Sequence, residues 1–258
     1  MKEMTKSFKD CIDGIFHYLE KSFIDRKATK DEARIFGFYF SLLEECEDLI
    51  FLIENEKYSI LPHGCRSVIE RTMDIENSLE RPNYQDRLLL TSYHSQDRFS
   101  EFLLKRRNQF SQEEINQAIE NRRFIKNKKT DLKKKGVSKP INGFYEKFKL
   151  CSTSEQPRFY KIIDKLNQEV HMDYRLIFDR YQAKKVHPLS RDGAFLKPRR
   201  NKSLITAQEA LEIMIPSVYS STGQLLNEFD FKYGNTLKAK HNNLYDLYIE
   251  FFDTVAIN

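Results

Sequence analysis

Apolar residues recur at three- and four-residue intervals along most of the chain, the period of a helix with one buried face. Phe8, Cys11, Ile12, Ile15, Phe16, Leu19 and Phe23 mark a first helix. Thr29-Lys-Asp-Glu32 has the form of a capping box. It opens a second helix whose broad face carries Ile35, Phe36, Tyr39, Leu42, Leu43, Cys46, Leu49, Ile50 and Ile53. So wide a face suits a helix inside a bundle. A third helix is predicted from near Pro62 to about Arg81, where Pro82 stops it. Asn83 is placed to cap a fourth, with Leu88, Leu89, Tyr93, Phe99, Phe102 and Leu103. Ser111-Gln-Glu-Glu114 is a second capping box; its helix carries Ile115, Ala118, Ile119, Arg122 and Ile125 and then turns basic.

From Gly136 to Ser154 the pattern breaks. Gly136, Pro140 and Gly143 predict a loop, with a short aromatic turn at Phe144, Tyr145 and Phe148. Helical spacing resumes near Pro157 and runs through Ile163, Leu166, Val170, Tyr174, Ile177 and Tyr181, closing on DRYQAKKVHP, Asp179 to Pro188. A loop follows, then a third capping box, Thr206-Ala-Gln-Glu209. Its helix holds Leu211, Met214, Ile215, Val218, Leu225, Leu226 and Phe229, with Pro216 as an interior kink. Leu244, Leu247, Tyr248, Phe251 and Phe252 mark the last helix. No repeat and no convincing strand run interrupts this pattern. The expectation is an all-α helical bundle of roughly eight helices, one domain over 1–258, with a basic, partly irregular insertion around 122–154 and a basic loop at 188–203.

Composition agrees. Hydrophobic residues at 40% and charged residues at 31% can build a core, and 8 Gly and 7 Pro are too few for a β-sandwich. No apolar run approaches the length of a membrane span, and the first residues lack the apolar stretch of a signal peptide. Cys11, Cys46, Cys65 and Cys151 form no C-x-x-C pair and sit apart from the six His. They read as reduced thiols of a cytoplasmic protein, with no metal site. Glu169 and Asp173 flank His171 but lack the H-E-x-x-H spacing. No glycine-rich phosphate loop and no G-x-S-x-G elbow is present, so no cofactor is expected.

Charge changes the picture more. The chain carries a net +5, but it is unevenly spread. Residues 122–149 hold eleven Lys or Arg against Asp131 and Glu146, a net +9. Residues 180–202 hold eight against Asp192, a net +7. The remainder is therefore about −11. Local excess of this kind suits a polyanion. The candidate nucleic-acid-binding residues are Arg122, Arg123 and Lys126 in the first stretch and Lys184, Lys185, Arg191, Arg199 and Arg200 in the second. Phe144, Tyr145 and Phe148 could stack on bases. The bland alternative is a solvated helix end and a basic loop.

DRYQAKKVHP offers chemistry as well as charge. Metal-independent RNA cleavage needs a base for the ribose 2′-OH, a cation for the phosphorane and an acid for the leaving oxygen. Arg180 and His187 have six residues between them. On a helix that places them two turns apart on one face. Pro188 puts His187 at the helix end, where the dipole favours its protonated form. The same spacing occurs at Arg87…His94, but among Leu88, Leu89 and Leu90, which reads as core. Arg66 and Glu70, at i and i+4, are either an intrahelical ion pair or a supporting pair beside a catalytic group.

An Arg and a His so spaced, late in an all-α domain, resemble the HEPN (higher eukaryotes and prokaryotes nucleotide-binding) superfamily. R-S-V-I-E at Arg66 to Glu70, with Y-R-L-I-F-D-R-Y…V-H-P from Tyr174 to Pro188, also looks like an uncharacterised bacterial all-α family with an early Arg–Glu motif and a late Tyr…His-Pro motif. The HEPN resemblance implies a metal-independent endoribonuclease of a toxin or phage-defence system, cutting RNA across a homodimer. Arg180 would bind phosphate and His187 would be the catalytic His, with Arg66, Glu70 and Tyr174 in support. The alternative expectation is a non-catalytic helical module that contacts nucleic acid or a partner protein in a multi-protein defence complex.

Overall fold

The computed structural model describes residues 2–23, 28–151, 163, 166, 184–185, 194–195 and 205–256. Arg180, His187, Tyr174, Arg191, Arg199 and Arg200, like the Glu169–His171–Asp173 cluster, lie outside them. The expected all-α class holds. Among the described residues eight α-helices run in the order α1 (Lys2–Phe23), α2 (Lys30–Glu54), α3 (Leu61–Glu80), α4 (Tyr84–Lys105), α5 (Gln112–Lys134), α6 (Phe144–Leu150), α7 (Ala207–Glu228) and α8 (Gly234–Ala256). One two-residue ladder was not anticipated: Lys184–Lys185 pairs antiparallel with Ala194–Phe195. Its first strand falls inside DRYQAKKVHP, so Lys184 and Lys185 are not part of the helix that the spacing predicts.

All three capping boxes form. The Thr29, Ser111 and Thr206 side chains each accept from the backbone N–H three residues on, while the Glu there accepts from the cap backbone. Asn83 differs from expectation. It stands before α4, but at φ 62° it is left-handed and its side chain makes no cap bond. The two-residue reversal after Arg81 needs a left-handed residue, and Asn tolerates that geometry better than most. α7 runs through Pro216, although proline has no N–H to donate to the carbonyl one turn back.

The chain divides into two compact units. The first comprises 1–76 and 152–258. In it α1 packs on α2 and α8, and α7 packs on α8 and α2, closing a four-helix ring. Phe8, Ile12, Ile15, Leu42, Leu43, Cys46, Met214, Ile215, Val218 and Leu244 fill it and are fully buried. Tyr39 reaches across to hydrogen-bond Thr222. Its burial pushes the phenol well above the usual range, so the bond is between neutral hydroxyls. α3 meets α2 at a glycine: a Cβ at Gly64 would sit 2.5 Å from Leu49 Cδ2.

The second unit is 77–151. α4 and α5 pack closely as an antiparallel hairpin, turned by the 3₁₀ segment Arg107–Gln109. Leu90, Tyr93, Ile125, Leu132 and Val137 form its core. The irregular return, 136–151, is laced to α3 and α4 by side chains that take its backbone groups. Arg87 donates to the carbonyls of Lys139 (3.2 Å) and Pro140 (3.5 Å) and pairs with Glu146. Thr91 Oγ1 lies 2.9 Å from both the Ile141 N–H and its carbonyl. Arg81 donates twice to the Leu150 carbonyl, at 3.1 and 2.8 Å, and Asn77 donates to that of Lys147. A loop without ladder partners is held in this way because its polar groups must be satisfied.

Candidate nucleic-acid interface

α5 carries two faces. Ile115, Ala118, Ile125 and Leu132 are buried. Beside that stripe, Arg122, Lys126, Lys129 and Lys133 follow one another at four-, three- and four-residue steps, with Arg123 next to the first. Those steps keep the side chains in one line. Eleven residues of helix extend the line over about 16 Å. No acid of α5 falls on it. Glu113 and Glu114 sit in the first turn of the helix, where the dipole favours them.

The cations line a groove of about 540 Å³ on the 77–151 unit, together with Asp97, Leu104, Ile119 and Thr130. Asp97, from α4, is the one acid in the lining. Its Oδ1 accepts from Arg122 Nε at 3.0 Å and its Oδ2 from Lys129 Nζ at 2.7 Å. The Lys129 bond, then that of Arg122, holds the Asp97 carboxyl below the usual carboxylate range, against the opposing effect of its partial burial. Asp97 is therefore ionised at neutral pH. Arg123, Lys126 and Lys133 are exposed and form no ion pair among the described residues. His94, on the exposed side of α4, is held below the ordinary imidazole range by desolvation and then by Lys129.

The whole 77–151 unit is cationic. It holds seventeen Lys or Arg against nine Asp or Glu, a net +8, which leaves −3 for the rest of the chain.

Of the residues singled out in the sequence, Arg122, Arg123 and Lys126 come together in this groove. Lys129, Lys133 and Asp97 complete it. The two Lys were legible in the four-and-three spacing along α5; Asp97 was not, because its place depends on how α4 registers against α5. The expected aromatic platform is corrected. Phe144 and Phe148 are 6% and 8% exposed, with their faces taken up in the core, and only Tyr145 is open to solvent. The aromatic turn is a two-turn helix, and such a helix hides one side. Lys184 and Lys185 lie in the short ladder.

Arg66 and Glu70 form their i,i+4 ion pair on α3, at 3.2 Å and partly buried. Two neighbours tie α3 to α2: Ser67, within the stretch, donates from Oγ to Glu45 at 2.7 Å, and Arg71, just after it, lies 3.4 Å from the same carboxylate. These contacts make the Arg-Ser-x-x-Glu stretch a clamp between helices of the first unit. Arg87 and His94 do not meet in a site; Arg87 is engaged with the 139–146 loop.

No group of three or more His, Cys, Asp or Glu able to hold a metal ion occurs among the described residues, and none of their helices is long and apolar enough to cross a membrane. Compared with protein-family models, with curated proteins and with solved structures, the chain finds no match.

Proposed function

We propose that the chain binds nucleic acid, RNA in the first instance, and that the α5 groove of the 77–151 unit holds the sugar-phosphate backbone. The observation that carries this is the line of Arg122, Arg123, Lys126, Lys129 and Lys133 beside a single acid. Five cations in one recess repel one another, and the single carboxylate that α4 sets against them, Asp97, engages only Arg122 and Lys129. A polyanion relieves that repulsion and releases its own counterions. A fluorescein-labelled 12-mer oligouridylate is expected to bind, and Arg123→Ala/Lys126→Ala/Lys133→Ala to weaken it at least about tenfold. These three are exposed, so the variant should keep its fold. Equal binding of the triple variant, or equally tight binding of polyglutamate of the same length, would count against nucleic acid, the latter in favour of an acidic protein partner.

The fuller reading is a HEPN-like, metal-independent endoribonuclease of a bacterial toxin or antiviral defence system, cytoplasmic and dimeric, with Arg180 and His187 as the cutting pair. Its support is the presence of an Arg and a His together in DRYQAKKVHP and the basic stretch around them, not a shared helix face. Purified protein incubated with total RNA in EDTA should cut it, and His187→Ala should not. RNA that is bound but left intact would leave the chain a binding module of such a system.

A further inference from the structure

We propose that Arg122 and Lys129 form a phosphate subsite, and that the Asp97 carboxylate competes for these two cations with a phosphate of the bound strand. This rests on the nucleic-acid reading above and adds to it where in the groove the backbone is gripped and what restrains the grip.

The geometry is that of a two-pronged oxyanion site. Arg122 and Lys129 are two turns apart on α5, and each takes a different oxygen of one carboxylate. A phosphodiester likewise offers two non-bridging oxygens sharing one negative charge, so the same donors suit it. Asp97 belongs to the neighbouring helix and enters between them, as an outside anion would.

The exchange is also accessible. The side chains of Asp97, Arg122 and Lys129 are 31%, 43% and 23% exposed. Ion pairs this open to water are weak, so trading a carboxylate for a phosphate of equal charge is close to neutral. Arg122 uses only Nε on Asp97, and its two Nη groups make no hydrogen bond among the described residues. A phosphate can engage those first and then take over from the carboxylate. Because Asp97 is ionised at neutral pH, it competes as a full charge. The groove thus binds with the fraction of molecules in which Asp97 has let go, and its affinity is reduced by that fraction.

The test compares Asp97→Asn with Asp131→Asn, on the same oligouridylate 12-mer. Asp131 lies on α5, exposed and outside the groove lining, so both variants change the net charge equally. Asp97→Asn is expected to bind about fivefold tighter, and Asp131→Asn to change affinity by less than about twofold. Arg122→Gln should cost little in the natural chain and about fivefold in the Asp97→Asn background, a non-additive pair. If Asp97→Asn binds no tighter than Asp131→Asn while the natural chain binds well, the competition is wrong and the nucleic-acid reading stands. If it binds more weakly, Asp97 instead positions Arg122 and the competition is again wrong. If no variant binds, both proposals fall. Should Asp97→Asn melt early, the Arg122 Nε–H resonance of the natural chain gives a second readout: it should shift as RNA saturates the protein, and an unmoved resonance overturns the displacement.

Discussion

Gly64 sets how near α3 can come to α2. Leu49, which a Cβ there would strike, is 1% exposed and hemmed in by the core, so its side chain has little room to retreat. Gly64→Ala gains helix propensity but overpacks this contact, and a net loss of about 1 to 2 kcal/mol is expected in chemical denaturation. Unchanged or higher stability would mean that Leu49 can repack. Nothing in the local sequence marks Gly64, because the need for it lies 15 residues upstream. The same is true of Arg87. Its spacing to His94 matched the ribonuclease pattern, yet its guanidinium is given to the 139–146 loop. A shared spacing of two turns records that two residues occupy one helix face; it does not record what that face meets.

Elements were more legible where their signals are local. The three capping boxes lie within four residues each and form as read. The aromatic run at 144–148 failed as a stacking surface, because which side of a two-turn helix is covered depends on α3 and α4. Between α7 and α8 a further non-local contact sets a pH dependence. His241 stacks on Tyr219 with centroids 4.4 Å apart and planes within 4°, and its Nε2–H donates to the Tyr219 carbonyl at 3.1 Å. Gly223 leaves it room: a Cβ there would lie 3.1 Å from Nε2. Desolvation lowers the His241 pKa below the ordinary 6.5, outweighing that hydrogen bond. A depressed imidazole contributes stability that is complete above the unfolded value and is lost as pH falls through the folded one. Thermal melts should therefore drop between about pH 7.5 and 5 more in the natural chain than in His241→Gln. Equal drops in the two would remove His241 from the account.

At the scale of the molecule, segregated charge was the most informative property of the sequence. The first basic stretch resolves into a face: five of its cations line one groove, on a unit with a net charge of +8. What could not be read was the division into units at residue 77 and after residue 151, since α3 carries its helical pattern across the first boundary without a break. The acid within the groove was hidden for the same reason as Gly64, being brought there by the register of two helices. The salt dependence of binding counts the phosphates the groove neutralises. For a single strand, log K is expected to fall against log salt with a slope of about −0.7 per phosphate. Removing Arg123, Lys126 and Lys133 together should flatten the slope by about 2. A triple variant with the slope of the natural chain would show that the groove does not hold the backbone.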